Sequence, residues 1–503
     1  MGNRDIEAAR AFHEITAHSY TSVRSGGHRL DWDNRPLPYK IYPEAGALNL
    51  PRDLTLPVMP TLTALTAPDT PPSGSIDLGA LTRMLFCADG LTRRKRVGGE
   101  DYHFRAAASA GALYPIELYV AAGDIDGVEP GLYHFSPADL KLRGLRRGDW
   151  RELIARASAA AAPIMEARAV LIMSAIFWRS AWKYGARAYR YCFWDAGTIL
   201  ANLIAAARAE GVAAEIITTF ADSEIELLLG VDGEREGIVC MVPLGRTVPA
   251  HDATPVLRPL SLETIPLSSR ETAYGELVKL HRESCLDADE IVGVAARIET
   301  MPPTPADEGF TPAPLPADQG LGLGDTILRR GSTRIFARAA IEAVELATFM
   351  APLAYPPRSD FPPLTDTYLI VNAAEGMPSG AYYYRRQSGA FELIKHGDFR
   401  AQAGYLCLEQ ALGADCAALI CYMTDLERTL AALGNRGYRD AHLEAGMLGG
   451  RVYLAAYALG RGASGLTFYD EDATAFFSPH AAGKSPLLMV AVGVPWTSHE
   501  SEE

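Results

Sequence analysis

The chain repeats itself, and that constrains its fold more than any single motif. Shifted by 249 positions, Gly131-Leu-Tyr-His-Phe falls on Gly380-Ala-Tyr-Tyr-Tyr, and Gly148-Asp-Trp falls on Gly397-Asp-Phe. The same shift carries AVLIMSAIF from Ala169 onto ALICYMTDL from Ala418, and Ala196-Gly197 onto Ala445-Gly446. Gly185, Arg187, Tyr189 and Arg190 land on Gly434, Arg436, Tyr438 and Arg439. A constant offset over such a distance describes two duplicated domains, because solenoid repeats recur every ~20–50 residues.

Each copy reads in the same order. A helix (79–88; 337–350) leads to a strand (117–122; 366–372) and a hairpin around Gly131 or Gly380. A β-branched strand (169–177; 418–424), a long helix and a terminal apolar strand follow. In the first copy the long helix carries Phe193, Ala196, Ile199, Leu200, Leu203 and Ile204 at helical spacing. Mixed helices and strands with hairpins indicate an α+β class, two α+β sandwich domains, rather than a doubly wound parallel sheet. No GxGxxG follows a strand and no Walker lysine loop is present, so nucleotide folds of those kinds drop out. The expected boundaries are an N-terminal arm at 1–50, a first domain at 51–250, a helix plus Pro-rich extended linker at 251–325, and a second domain at 326–497. The helix of the connecting segment is expected over 272–285.

Acidic residues outnumber basic ones 61 to 47 in 503 positions, a formal charge of −14. Such a surface repels phosphate polymers, so neither nucleic acid nor an anionic membrane is an expected partner. No apolar run reaches the ~20 residues of a membrane helix, and the N-terminus lacks a signal-peptide core. Seven cysteines without a C-x-x-C pair, mostly in apolar runs, read as core thiols of a cytoplasmic protein. The scattered histidines give no metal spacing, so no metal site is expected.

Two segments carry candidate chemistry. Arg105-Ala-Ala-Ala-Ser109-Ala110-Gly111-Ala-Leu113-Tyr-Pro in the first copy packs small residues that let a flat ligand approach the backbone, with N–H groups and the Ser109 hydroxyl available to donate. A tight turn into a strand is the plainer alternative. In the second copy, Arg330-Gly-Ser332-Thr-Arg334-Ile-Phe stands just ahead of the helix expected from 337 and suits a phosphate monoester, a solvated basic patch being the alternative.

The strings SAGALYPIELYV, WKYGARAYRY (182–191) followed by DAG, and RGSTRIF resemble the nitroreductase superfamily of flavoproteins. Within it they are most similar to the SagB/ThcOx branch, whose best-known members oxidise thiazolines and oxazolines in ribosomal peptides. The resemblance spans about 10–250 and 325–495. It implies FMN as cofactor, bound between two subunits, with the RxSxR segment of one on the phosphate and the SAG-type segment of the other lining the ring.

Each copy keeps what the other lacks. The first has LTALTAPDTPPSGSIDL, without arginine, where its phosphate segment belongs; the second has Arg358-Ser-Asp-Phe-Pro-Pro-Leu in place of SAGALYP. The expectation is an intrachain pseudo-dimer with one FMN site, built from Ser109, Ala110, Gly111 and Leu113 with Arg330, Ser332 and Arg334, and a second pseudo-site that has decayed. By the same resemblance Gly465 stands where backbone donors approach flavin N5, Arg105 reaches the flavin edge, and Arg246 belongs to the decayed site. Lys183-Tyr184 corresponds to a catalytic Lys-Tyr pair, replaced in the second copy by Ala432-Leu433. Lysine serves as a base only if burial lowers its pKa. Which pseudo-site the pair faces is open, and the shared arginines and tyrosines read as structural.

The implied activity is FMN-dependent oxidation of a small-molecule or peptide-borne heterocycle precursor. One alternative is an NAD(P)H-dependent nitro- or quinone-type reductase on the same site. Another, of a different class, is a non-catalytic partner protein with a vestigial flavin site.

Overall fold

A computed structural model describes residues 2–25, 29–68, 76–97, 99–246, 254–300 and 320–496. Two six-stranded antiparallel sheets form its frame. The first runs in the order 47–49, 141–147, 131–136, 116–122, 169–176, 236–244. The second runs 390–396, 380–385, 366–371, 418–424, 485–493, 462–466. Five strands of each sheet correspond through the repeat. The sixth does not: a strand of the arm, Ala47–Asn49, extends the first sheet, whereas Gly462–Leu466 closes the opposite edge of the second. Every residue of Ala169–Ile176 and of Ala418–Thr424 is buried, as expected of inner strands covered on both faces.

Helices Ala188–Ala209 and Asn435–Ala458 pack against each other between the sheets. Their backbones touch at the repeat-related pair Gly197 and Gly446. A Cβ on Gly197 would fall 2.4 Å from the amide nitrogen of Met447, and one on Gly446 2.4 Å from the carbonyl of Trp194. Trp194 Nε1 donates to His442 Nδ1 across the same contact at 2.9 Å.

The shared arginines hold the halves together. Arg187 and Arg190 of the first copy donate to Asp470 of the second, at 3.0 and 2.8 Å. Arg436 and Arg439 of the second pair with Asp222 of the first. All six side chains are buried, so each carboxylate is compensated by two guanidiniums from the other domain. The intrachain pseudo-dimer is thus built into the core.

Two expectations need correcting. The arm does more than lie on one domain: its helix Glu7–Ile15 buries Ala8, Ala9 and Phe12, and Asn3 and Ala9 bond to Leu433 and Asn435 of the second domain. The helix expected over 337–350 starts only at Ala343. Ile341 first pairs with Ala374, and Glu342 then caps the helix in a reciprocal box with Glu345. The Pro-rich linker lies outside the described residues up to 319, and from Leu323 the chain is already helical to Arg329. The connecting helix spans Gly275–Glu283, followed by a second at Ala288–Thr300. No helix among the described residues is long and apolar enough to cross a membrane. All seven cysteines are free, and only Cys285 is not fully buried.

Candidate active site

The small-residue segment leaves the strand Glu100–Arg105 and turns sharply, with φ of +65° at Gly111, +53° at Ala112 and +51° at Tyr114. Left-handed alanine and tyrosine cost about 1 kcal/mol each, so something must hold the turn. One face of the first long helix does. Asp195, Thr198 and Asn202 stand at positions i, i+3 and i+7. Asp195 accepts from Ser109 Oγ at 2.5 Å and from the Ala110 N–H at 2.9 Å. Thr198 donates to the Ala108 carbonyl at 2.6 Å, and Asn202 to that of Ala106 at 2.9 Å. Burial pushes the Asp195 carboxyl up to about 7, against the pull of its two donors. Sequence reasoning gave Asp195 no role, although it is the aspartate of the DAG string.

The Ser109 hydroxyl also accepts from the Tyr114 N–H at 2.9 Å. Ser109 and the Ala110 amide therefore shape the turn, and the expectation of a free Ser109 donor is corrected. Leu113 is buried with Ile176, Trp178 and Trp182 as apolar support.

The second-copy segment meets this turn across the domain boundary. Arg330 Nε donates to the carbonyl of Ala106 at 2.9 Å, and Nη2 to those of Arg105 and Ala107 at 2.6 and 3.0 Å. Arg330 is 7% exposed, yet among the described residues no carboxylate pairs with it. Burial without an anion pulls its pKa below the usual arginine range. Ser332 lies near enough to the Tyr453 hydroxyl to lower its pKa against the effect of burial, and the Thr333 N–H donates to the Ala463 carbonyl at 2.9 Å, aligning the segment with the edge strand. Arg334 is exposed. Because the next helix starts at Ala343, the arginines follow a helix C-terminus (Leu323–Arg329) rather than precede an N-terminus, and helix-dipole support for a phosphate is withdrawn.

Lys183 and Tyr184 end the helix Phe177–Tyr184 and face this same meeting point. Gly111 is exposed, and a Cβ on it would lie 2.7 Å from Tyr184 Oη and 3.1 Å from Lys183 Nζ, so glycine lets these two side chains approach the turn closely. Burial, then the charges of Arg334 and Arg35, lower the Lys183 pKa. Burial raises that of Tyr184, whose ring stands edge-on to Tyr191 at 4.6 Å.

Two further expectations change. Arg105 turns away from the opening: it is 1% exposed and ion-paired with Asp89, also donating to the Pro38 carbonyl. Only its main-chain carbonyl reaches Arg330. Gly465 is exposed on the edge strand beside Tyr453, but its N–H donates to the Tyr453 hydroxyl, so it offers space rather than a free donor.

The pseudo-symmetric counterpart is filled by protein. Ile216, 249 positions before Gly465, is wholly buried; its N–H donates to the Arg358 carbonyl at 2.9 Å and its carbonyl accepts from Asp360 at 3.0 Å. Asp360 accepts from the N–H groups of Thr218 and Thr219 at 2.9 and 2.8 Å. Among possible metal ligands, Glu226, His281 and Cys285 bring their ligand atoms within 4.8 Å of one another. The charges of Arg436 and Arg439 reach that group and disfavour a cation there.

A model of the nitroreductase family matches residues 73–246 and again 327–494. MJ1384 of Methanocaldococcus jannaschii, described as a nitroreductase, is 30% identical over 176 residues, 35% of this chain and 84% of its own. The trifolitoxin-processing protein TfxB of Rhizobium leguminosarum bv. trifolii is 29% identical over 197 residues, 36% of this chain and 50% of its own. A crystal structure from Anabaena variabilis, described as a nitroreductase, superposes with a TM-score of 0.76 at 26% identity. It covers 97% of this chain, and this chain covers 99% of it, so the two-domain arrangement recurs there as a whole.

Proposed function

The chain belongs to the nitroreductase family in both of its halves, and we propose that it is an FMN-dependent oxidoreductase with one composite site per chain. The observation that carries this reading is Arg330: a buried guanidinium without a carboxylate among the described residues, fastened to the turn of the other domain. A buried cation of this kind suits an anion such as the FMN phosphate, which restores the missing charge. The exposed, side-chain-free backbone at Gly111, with Lys183 and Tyr184 against it, suits the close approach of a flat ring.

Arg330, Ser332 and Arg334 would hold the phosphate, and the backbone at Gly111 with the exposed Gly465 would border the ring. FMN, when bound, supplies a two-electron acceptor at N5. Lys183 Nζ, its pKa lowered, would take the proton that leaves the substrate, and the Tyr184 hydroxyl would orient that proton's path. Asp195 would act one step back by fixing the turn.

The SagB/ThcOx-like strings and the likeness to a trifolitoxin-processing protein support a heterocycle precursor, free or peptide-borne, as substrate. Purification tests the cofactor: a yellow chain carrying about one FMN is expected, and a colourless chain that refuses FMN would leave a scaffold role. Anaerobic bleaching by NADH or NADPH, without oxidation of thiazoline-containing peptides, would replace the dehydrogenase by a nicotinamide-driven reductase.

A further inference from the structure

Beside the site the arm and an adjoining hairpin carry further cations, several of them without a carboxylate partner among the described residues. The hairpin of strands Leu91–Val97 and Glu100–Arg105 leads directly into the Ser109–Gly111 turn and carries Arg93-Arg94-Lys95-Arg96, all exposed. Side chains opposed across an antiparallel pair share a face. Arg93 with Phe104, and Lys95 with Tyr102, therefore form one face, and Arg94 with His103 and Arg96 with Asp101 the other.

The first face is turned to the site. Arg93 stacks on Phe104 at 4.7 Å and lies beside Gly331, where a Cβ would meet its Nη2 at 3.7 Å. Arg35 of the arm lies over Tyr102 at 5.2 Å, and its charge is felt at Lys183 together with that of Arg334. Among the described residues none of Arg35, Arg93, Lys95, Lys183 and Arg334 has a carboxylate partner, whereas Arg94, on the far face, pairs with Asp101. In a chain of net charge −14 this concentrates positive potential at one opening.

We propose that the site takes an anionic substrate, one whose carboxylates flank the reacting group and settle on the Arg35–Arg93–Lys95 face. This rests on the proposed enzymatic reading and names its substrate class. The carboxylates can come from an acidic peptide segment or from a free carboxylic acid.

The test uses the full chain. Fluorescence anisotropy at low ionic strength compares a fluorescein-labelled alternating Gly-Glu peptide with its Gly-Gln counterpart, with glutarate as competitor. The acidic peptide is expected to bind about tenfold more tightly or better and to weaken with added salt. Lys95→Glu should lower that affinity a further tenfold or so, while Arg94→Gln, on the opposite face, should leave it unchanged. Displacement by glutarate assigns recognition to single carboxylates, and persistence of binding assigns it to an extended acidic segment. Equal affinity for the two peptides, indifference to Lys95→Glu, or Lys95-dependent binding of NADPH alone would overturn the proposal. Flavin content is read separately from the absorbance spectrum. A colourless chain that still discriminates the peptides would remove the flavin reading and keep the anionic one.

Discussion

Asp195 and Glu444 stand 249 positions apart on the two long helices and hold different loops. Asp195, without a cationic partner among the described residues, fastens Ser109 and Ala110 into an exposed turn. Glu444 pairs with Arg386 at 2.8 Å and accepts the Leu364 N–H at 2.8 Å, fastening the segment that closes the other side. One helical position thus serves an opening in one half and a seal in the other.

Asp195 gives the fold a pH signature. Its pKa is about 7 in the folded chain against an ordinary 3.8, so the folded state holds a proton that the unfolded chain releases. That contribution to stability is fully present below about pH 4 and is lost as pH rises through about 7. Glu226 and Asp440, also held near 7, act in the same sense. Asp195→Asn should therefore melt with a shallower loss of Tm between pH 5 and pH 8 than the parent. Parallel profiles would show that Asp195 does not titrate in that window.

Arg330→Ala should lose flavin. Removing a charged donor from a buried anion site costs about 2–3 kcal/mol, or roughly 30- to 160-fold in FMN affinity. Arg330→Lys keeps the charge but not the fork that grips three carbonyls, and should recover only part of it. Titration of the apo-chain with FMN reads both, and unchanged affinity in Arg330→Ala would detach this arginine from the cofactor.

Lys183→Ala should retain FMN and lose turnover by about 10²–10⁴-fold, the usual contribution of a general base. In the parent the rising limb of the pH–rate profile should lie below the ordinary lysine value of 10.5, because burial and Arg334 disfavour the charged form. Full activity in Lys183→Ala would assign the proton to another group.

Gly446→Ala sets two effects against each other. Replacing a helical glycine by alanine ordinarily stabilises by about 1 kcal/mol. Here the added carbon meets the Trp194 carbonyl at 2.4 Å, a main-chain contact that only separation of the helices relieves. The clash should prevail, with a net loss of about 1–3 kcal/mol read by urea unfolding. An increase in stability would mean that the two helices part easily.

The repeat made the two α+β domains and their common element order legible and marked the shared arginines as structural, but not that they pair across the domain boundary with Asp470 and Asp222. The meeting of RGSTR with the small-residue turn was legible too, from each copy's loss of what the other retains. Side-chain direction was not. Arg105 ends a strand, and only the placement of Asp89 on the helix Leu78–Asp89 draws it inward. The Ala337–Ala340 run has helical propensity, but pairing of Ile341 and capping by Glu342 delay the helix, a tertiary choice that local sequence does not encode. The basic hairpin escaped because Gly-Gly at 98–99 interrupts a charged run without the alternation that marks a buried strand.

The sealing of Ile216 against Arg358 and Asp360 has an evolutionary consequence. In a symmetric homodimer any substitution is imposed on both active centres at once. Here the two halves share one peptide chain but not one duty, so the sealed side is free to drift toward rigidity while the open side adapts to new reactants.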